Sequence, residues 1–133
     1  MILIDTSAWV EYLRATGSSA AIEVRRLLTE QVSEVAMCEP IAMEILAGAG
    51  DVAYAKLERL VNGLPILAFD AASDFRSAAA IYRAARRGGR TIHSLNDCLI
   101  AAVAIRHEAE VVHRDADYDV IASIAPLVAT SVA

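Results

Sequence analysis

The chain has 133 residues, 56 % hydrophobic and 22 % charged, with a formal net charge of −5. That length supports one domain, residues 1–133, with a sizeable core, and the composition excludes a disordered chain. The acidic balance argues against a generic nucleic-acid binder, and the lack of an apolar stretch of about 18 residues against a membrane span.

From the first residue onward, strand-like runs alternate with helical patterns. Ile2–Ile4 is a short apolar run ending on Asp5, and Ser7–Leu13 reads as a short helix. Ala20–Leu28 carries Ile22, Leu27 and Leu28 with Arg25 and Arg26 on the polar side. Val35–Met37 is a second strand candidate, followed by a helix over Pro40–Ala47 with proline where a first turn accepts it. Val52–Val61 has helical spacing, Pro65–Ala68 reads as a strand, and helices are expected over Asp74–Arg86 and Leu95–Arg106. Val111–His113 and Leu127–Thr130 complete the strands. This alternation predicts an α/β fold with a central parallel sheet of about five strands, covered on both faces. Such sheets place their sites beyond the carboxyl ends of their strands.

Acids recur at such places. Asp5 ends the first strand, where it either caps the next helix or belongs to a site. In "EVVHRDADYD" an apolar strand runs into Asp115, Asp117 and Asp119; the plainer reading is an acidic turn opening a helix. Glu44 in "PIAMEILAG" shares a helix face with Ile41 and Gly48, beside Ile45. It is either a buried acid or one that snorkels at the edge of the stripe. Asp97 follows Ser94 at capping-box spacing, and capping and chemistry are compatible there. Thr6 and Ser7 suit capping first, or a bond to a carboxylate or phosphate.

Taken together, these acids border one crevice. Two carboxylates about 4 Å apart repel by about 4 kcal/mol at an effective dielectric near 20, so four of them call for a cation. Hard oxygen ligands suit Mg²⁺ or Mn²⁺, the ions of phosphodiester hydrolysis.

The stretches "LIDTSAW" with Asp5, "EPIAMEILAG" with Glu44, "NDCLIAAVA" with Asp97 and "HRDADYDVI" with Asp115 come in an order and spacing that resemble the PIN-domain family, and within it the VapC toxins. The agreement spans essentially all 133 residues. The resemblance implies a three-layer α/β/α fold, a metal-dependent endoribonuclease acting on RNA (transfer RNA among the candidates), a VapB-type antitoxin that inserts a peptide into the site, and homodimers. Asp117 matches a frequent family acid and ranks below Asp115 as a ligand. His113 stands where many relatives carry threonine or serine, which removes a supporting hydroxyl.

Three other readings bear on the same chain. His93, His107 and His113 raise a metal-independent, histidine-based ribonuclease, but nothing in the sequence brings two of them together. Cys38, Cys98 and the histidines lack the close ligand pair of a zinc site. A non-catalytic interaction domain would leave the acids merely solvated. The two cysteines form no disulfide framework and no secretory signal opens the chain, so the cytoplasm is the expected compartment.

The basic residues are unusual in kind: Lys56 is the sole lysine among twelve Lys and Arg. Arg83, Arg86, Arg87 and Arg90 precede Asp97, and Gly88 and Gly89 are expected to end their helix. They either compensate the helix dipole or clamp phosphates of the substrate. Ser7, Arg86, Arg87 and Arg90 are the candidate substrate contacts.

Overall fold

The computed structural model describes residues 1–133. Its elements are β1 (Ile2–Ile4), α1 (Thr6–Leu13), α2 (Ser19–Glu30), a 3₁₀ turn (Val32–Glu34), β2 (Val35–Ala36), α3 (Glu39–Ala47), α4 (Asp51–Asn62), α5 (Asp74–Arg87), α6 (Leu95–Arg106), β3 (Glu110–His113), α7 (Ala116–Ile124) and β4 (Val128–Ser131). The four strands form one parallel sheet in the order β2-β1-β3-β4. All three residues of β1 are buried, so both faces of the sheet are covered, as continuous apolar strands of parallel sheets require.

A fifth strand at Pro65–Ala68 does not form. That segment makes a single parallel bridge, with Met37 donating to the Pro65 carbonyl (2.8 Å) and accepting from the Leu67 amide (2.8 Å). Pro65 has no N–H to offer, and β2 turns at once into α3, so the ladder has no second rung.

The chain leaves β1 toward β2 on one side and later returns to place β3 on the other. The gap between the carboxyl ends of β1 and β3 is therefore the topological switch point, where ligands of open parallel sheets bind. Register brings the two ends level: Ile4 pairs with Val112, and the Asp5 amide donates to the Val112 carbonyl (2.9 Å). Asp5 and the residues after β3 thus emerge side by side.

One core of 31 buried residues runs through the molecule. Its central helix is α6, whose Cys98, Ile100, Ala101, Ala102, Val103 and Ala104 are buried. A helix apolar nearly all round is one enclosed by its neighbours, and its alanines allow close approach. Asp97 is drawn inside with it. Helices α5 and α6 run antiparallel, since Asp74 at the start of α5 pairs with Arg106 at the end of α6 (2.7 Å). The far end of α5, with Arg86 and Arg87, therefore lies alongside the start of α6, the end that carries Asp97. Gly88 caps α5 as expected, and Gly89 takes a positive φ of 75° in the turn that follows. No helix is long and apolar enough to cross a membrane.

Candidate active site

A crevice of about 290 Å³ opens at the switch point, lined by Asp5, Thr6, Ser7, Val10, Glu44, Ser94, Asp97 and Asp115. All four acids expected to form the site line it, and they come from the ends of two strands and from two helices.

Asp5 is the N-cap of α1, its Oδ2 accepting from the Ser7 amide (2.9 Å) and hydroxyl (2.6 Å). The capping role foreseen for Thr6 or Ser7 thus belongs to Asp5. Thr6 and Ser7 fall inside the helix, and their hydroxyls brace carboxylates instead. Thr6 donates to Glu44 Oε1 (3.2 Å), joining α1 to α3. The Ser7 hydroxyl also accepts from the Arg114 amide (2.9 Å), which ties the end of β1 to the end of β3. Its one proton is already given to Asp5.

Asp115 likewise caps α7, accepting from the Asp117 amide (2.9 Å). The acidic turn opening a helix and the acid facing a crevice are the same residue here. His113 braces Asp115 from the end of β3: its buried Nδ1 accepts from the Asp115 amide (3.1 Å). An accepting Nδ1 leaves the proton on Nε2, which is buried without a hydrogen-bond partner.

The capping box expected from Ser94 and Asp97 is not made, for no amide bonds the Ser94 side chain. Asp97 is only 4 % exposed, and its Oδ2 is buried with no hydrogen-bond partner. Burial first, then the charge of Asp5 and bonding with Asp117, push its carboxyl from an ordinary 3.8 to about 9. Glu44, half-buried, is raised by burial and by Asp5.

Asp117 lies behind the crevice. Burial raises its carboxyl, but bonds from the His93 amide (3.0 Å) and ring (3.0 Å) and from the Ser94 amide (3.1 Å) outweigh that and hold it below the ordinary value. It thereby fastens the loop before α6 to α7. Asp97, Asp115 and Asp117 each offer an oxygen within 4.8 Å of the others. These donors fit a hard divalent cation: all are carboxylate oxygens, and the orphaned Asp97 Oδ2 is the kind of buried atom a positive charge satisfies. Asp117, already accepting several hydrogen bonds, has fewer lone pairs to spare than Asp97 or Asp115.

The three histidines stand in three places. His93 is on the exposed loop, His107 contacts the Ala68 carbonyl at the end of α6, and His113 is buried below the crevice. Cys38 and Cys98 are buried free thiols, raised by burial to about 12 and about 11. Arg86, Arg87 and Arg90 are exposed and make no ion pair. Arg86 stands 6.0 Å above the Tyr82 ring.

Tyr118 was not singled out in the sequence, yet its hydroxyl donates to Asp5 Oδ1 (2.7 Å) and lies 3.3 Å from Asp97 Oδ1. The available signal was a phenol among the core positions of a helix that opens at Asp115, because a buried Tyr hydroxyl needs a polar partner.

The PIN domain family model matches residues 2–124. The chain belongs to the PIN domain family. A relative in Mycobacterium tuberculosis, "Ribonuclease VapC11", is 70 % identical over 132 residues, covering 98 % of each chain. Among solved structures, this PIN domain resembles one described as FitAB bound to an IR36 DNA fragment, at TM-score 0.77 and 25 % identity, covering 99 % of this chain and 95 % of that one. It shares its fold with VapBC2 from Rickettsia felis bound to promoter DNA, at TM-score 0.74 and 20 % identity over 98 % of each chain.

Proposed function

We propose that this PIN domain is a Mg²⁺- or Mn²⁺-dependent endoribonuclease, the cytoplasmic toxin of a VapBC-type toxin–antitoxin pair. The observation that carries the reading is the gathering of Asp5, Glu44, Asp97 and Asp115 around one crevice, in a chain 70 % identical to a protein named a VapC ribonuclease.

Asp5, Glu44, Asp97 and Asp115 would hold the cation, and Asp117 stands behind them. When bound, the cation supplies charge neutralisation at the scissile phosphate and lowers the pKa of water. Asp97 would hold the cation in its deprotonated form, since metal ligands bind deprotonated. Glu44, whose carboxyl is raised by burial and by Asp5, would likewise bind the cation in its deprotonated form. Ser7 keeps Asp5 turned inward beside the phosphate. Arg86, Arg87 and Arg90 hold neighbouring phosphates of the RNA, offsetting the overall acidity locally.

The antitoxin docks in a second groove of about 300 Å³ between α1, α3 and α4, where Val10, Leu13, Ile45 and Leu57 supply apolar wall and Thr6 and Glu44 mark the acid end. A partner segment laid there brings a basic side chain to the acids, and arginine suits bidentate pairing with them. Self-association covers apolar surface such as Met43, Phe75 and Leu95, which are 58 %, 56 % and 59 % exposed.

Asp5→Asn and Asp97→Asn keep side-chain shape and remove charge. Each is expected to lose RNA cleavage with Mg²⁺ while retaining the wild-type circular dichroism. Wild-type cutting by both variants contradicts the site assignment.

A further inference from the structure

Resting on that cation site, we propose that Tyr118 is a positioning residue: its buried hydroxyl holds Asp5 and Asp97 at one fixed spacing. Tyr118 is fully buried, and its ring packs on His113 with centroids 5.0 Å apart. Its hydroxyl reaches Asp5 Oδ1 at 2.7 Å and Asp97 Oδ1 at 3.3 Å. Ser7 grips the other oxygen of Asp5, so that carboxylate is fixed from both sides. Asp97 has no such second grip, because its Oδ2 is unpartnered. The phenol is the one hydroxyl or amide donor in contact with the Asp97 carboxylate.

Geometry gives this contact its reach. Tyr118 sits in the first turn of α7, the helix that Asp115 caps. Through the hydroxyl, the end of β1 and the first turn of α6 are both referred to the helix that carries Asp115. Asp5 and Asp97 repel once both are ionised, as ligands of a cation must be; the phenol's hydrogen between them offsets that repulsion without occupying the crevice. A phenol is a hydrogen-bond donor at neutral pH, so this hydrogen is available to the two acids.

Tyr118→Phe deletes one oxygen and keeps the ring on His113. The readout is Mn²⁺ binding, followed by electron paramagnetic resonance of the free ion in the purified chain, together with the unfolding midpoint in EDTA. The expected result is a Mn²⁺ affinity about 10-fold to 100-fold weaker, the range for lost outer contacts of metal ligands, with the ion-free unfolding midpoint modestly lowered by the lost hydrogen bond and cleavage partly restored at high Mn²⁺. Wild-type Mn²⁺ affinity in the variant overturns the proposal and leaves the nuclease reading standing. The same holds for a lowered midpoint with unchanged affinity, which marks the phenol as core alone. A wild-type chain that binds no Mn²⁺ removes both.

Discussion

Asp97 carries a proton that its surroundings force on it, and this has a measurable consequence without any ion. Burial pushes its carboxyl from an ordinary 3.8 up to about 9 in the folded chain. Across that window the folded chain holds a proton that the unfolded chain has lost. Stability is therefore full below the lower value and falls as pH rises toward the upper one. Glu44, raised by burial, adds to the same slope. Urea midpoints in EDTA, followed by the fluorescence of Trp9 (the sole tryptophan, fully buried), are expected to fall between pH 5 and pH 8. Mg²⁺ or Mn²⁺ at pH 8 restores the loss by binding the folded state, and Asp97→Asn flattens the slope. Equal slopes in wild type and variant would mean that Asp97 is not the group responsible. The same residue shows where sequence reading stops. Its place in a first helical turn was legible from "SLND", but its bonding was not: the capping box needs Ser94 to accept an amide, and in the fold Asp97 turns inward to the phenol of Tyr118. Burial of a side chain depends on what packs from elsewhere in the chain, which local spacing does not carry.

Among elements, the antiparallel pair α5 and α6 holds the site from behind. Arg106 bonds both oxygens of Asp74 (3.0 and 2.7 Å) and the Ala68 carbonyl (2.5 Å), while Asp74 is 1 % exposed. Arg106→Ala leaves the buried Asp74 carboxylate without its charged partner and with only the Asp70 amide (2.7 Å) as donor. It is expected to cost about 1–3 kcal/mol, the range for a stranded buried acceptor, in denaturant midpoints; no shift would show that water replaces the guanidinium freely. At the opposite end of the pair, Arg87→Ala with Arg90→Ala is expected to weaken RNA binding and flatten its salt dependence. The cut site stays where it was, because phosphate contacts do not read bases. A wild-type salt slope in titrations of that double variant returns these arginines to helix capping. Most of these elements were readable from apolar spacing, α6 to the residue and α1 to α5 within a residue or two. The segment Pro65–Ala68 misled because four apolar residues look like a strand, whereas pairing needs an N–H that Pro65 lacks and a neighbour that continues. Helix α7 was visible only as its acidic start, since Tyr118, Val120 and Ile121 bury a face too short to announce its period.

For the whole molecule, the sheet order places chemistry at one edge. Because β1 and β3 are neighbours, residues 110 positions apart in the chain, Asp5 and Asp115, meet at the switch point, joined through Ser7 and Arg114. The four-acid set was legible beforehand through order and spacing. A carboxylate bond from Thr6 or Ser7 was also foreseen, but not which acid each would hold, and the phenol of Tyr118, which reaches Asp5 from 113 residues away, was not. An account in which acids and a cation activate water has a distinctive chemical outcome. Water as nucleophile leaves the 2′-hydroxyl of the RNA untouched, whereas a histidine pair uses that hydroxyl and makes a cyclic phosphate. The most direct measurement is the end chemistry of RNA cut by the purified, antitoxin-free chain with Mg²⁺ and again with EDTA. The expected result is cleavage with Mg²⁺ alone, leaving 5′-phosphate and 3′-hydroxyl ends; 2′,3′-cyclic phosphate ends, or cutting that persists in EDTA, would contradict it.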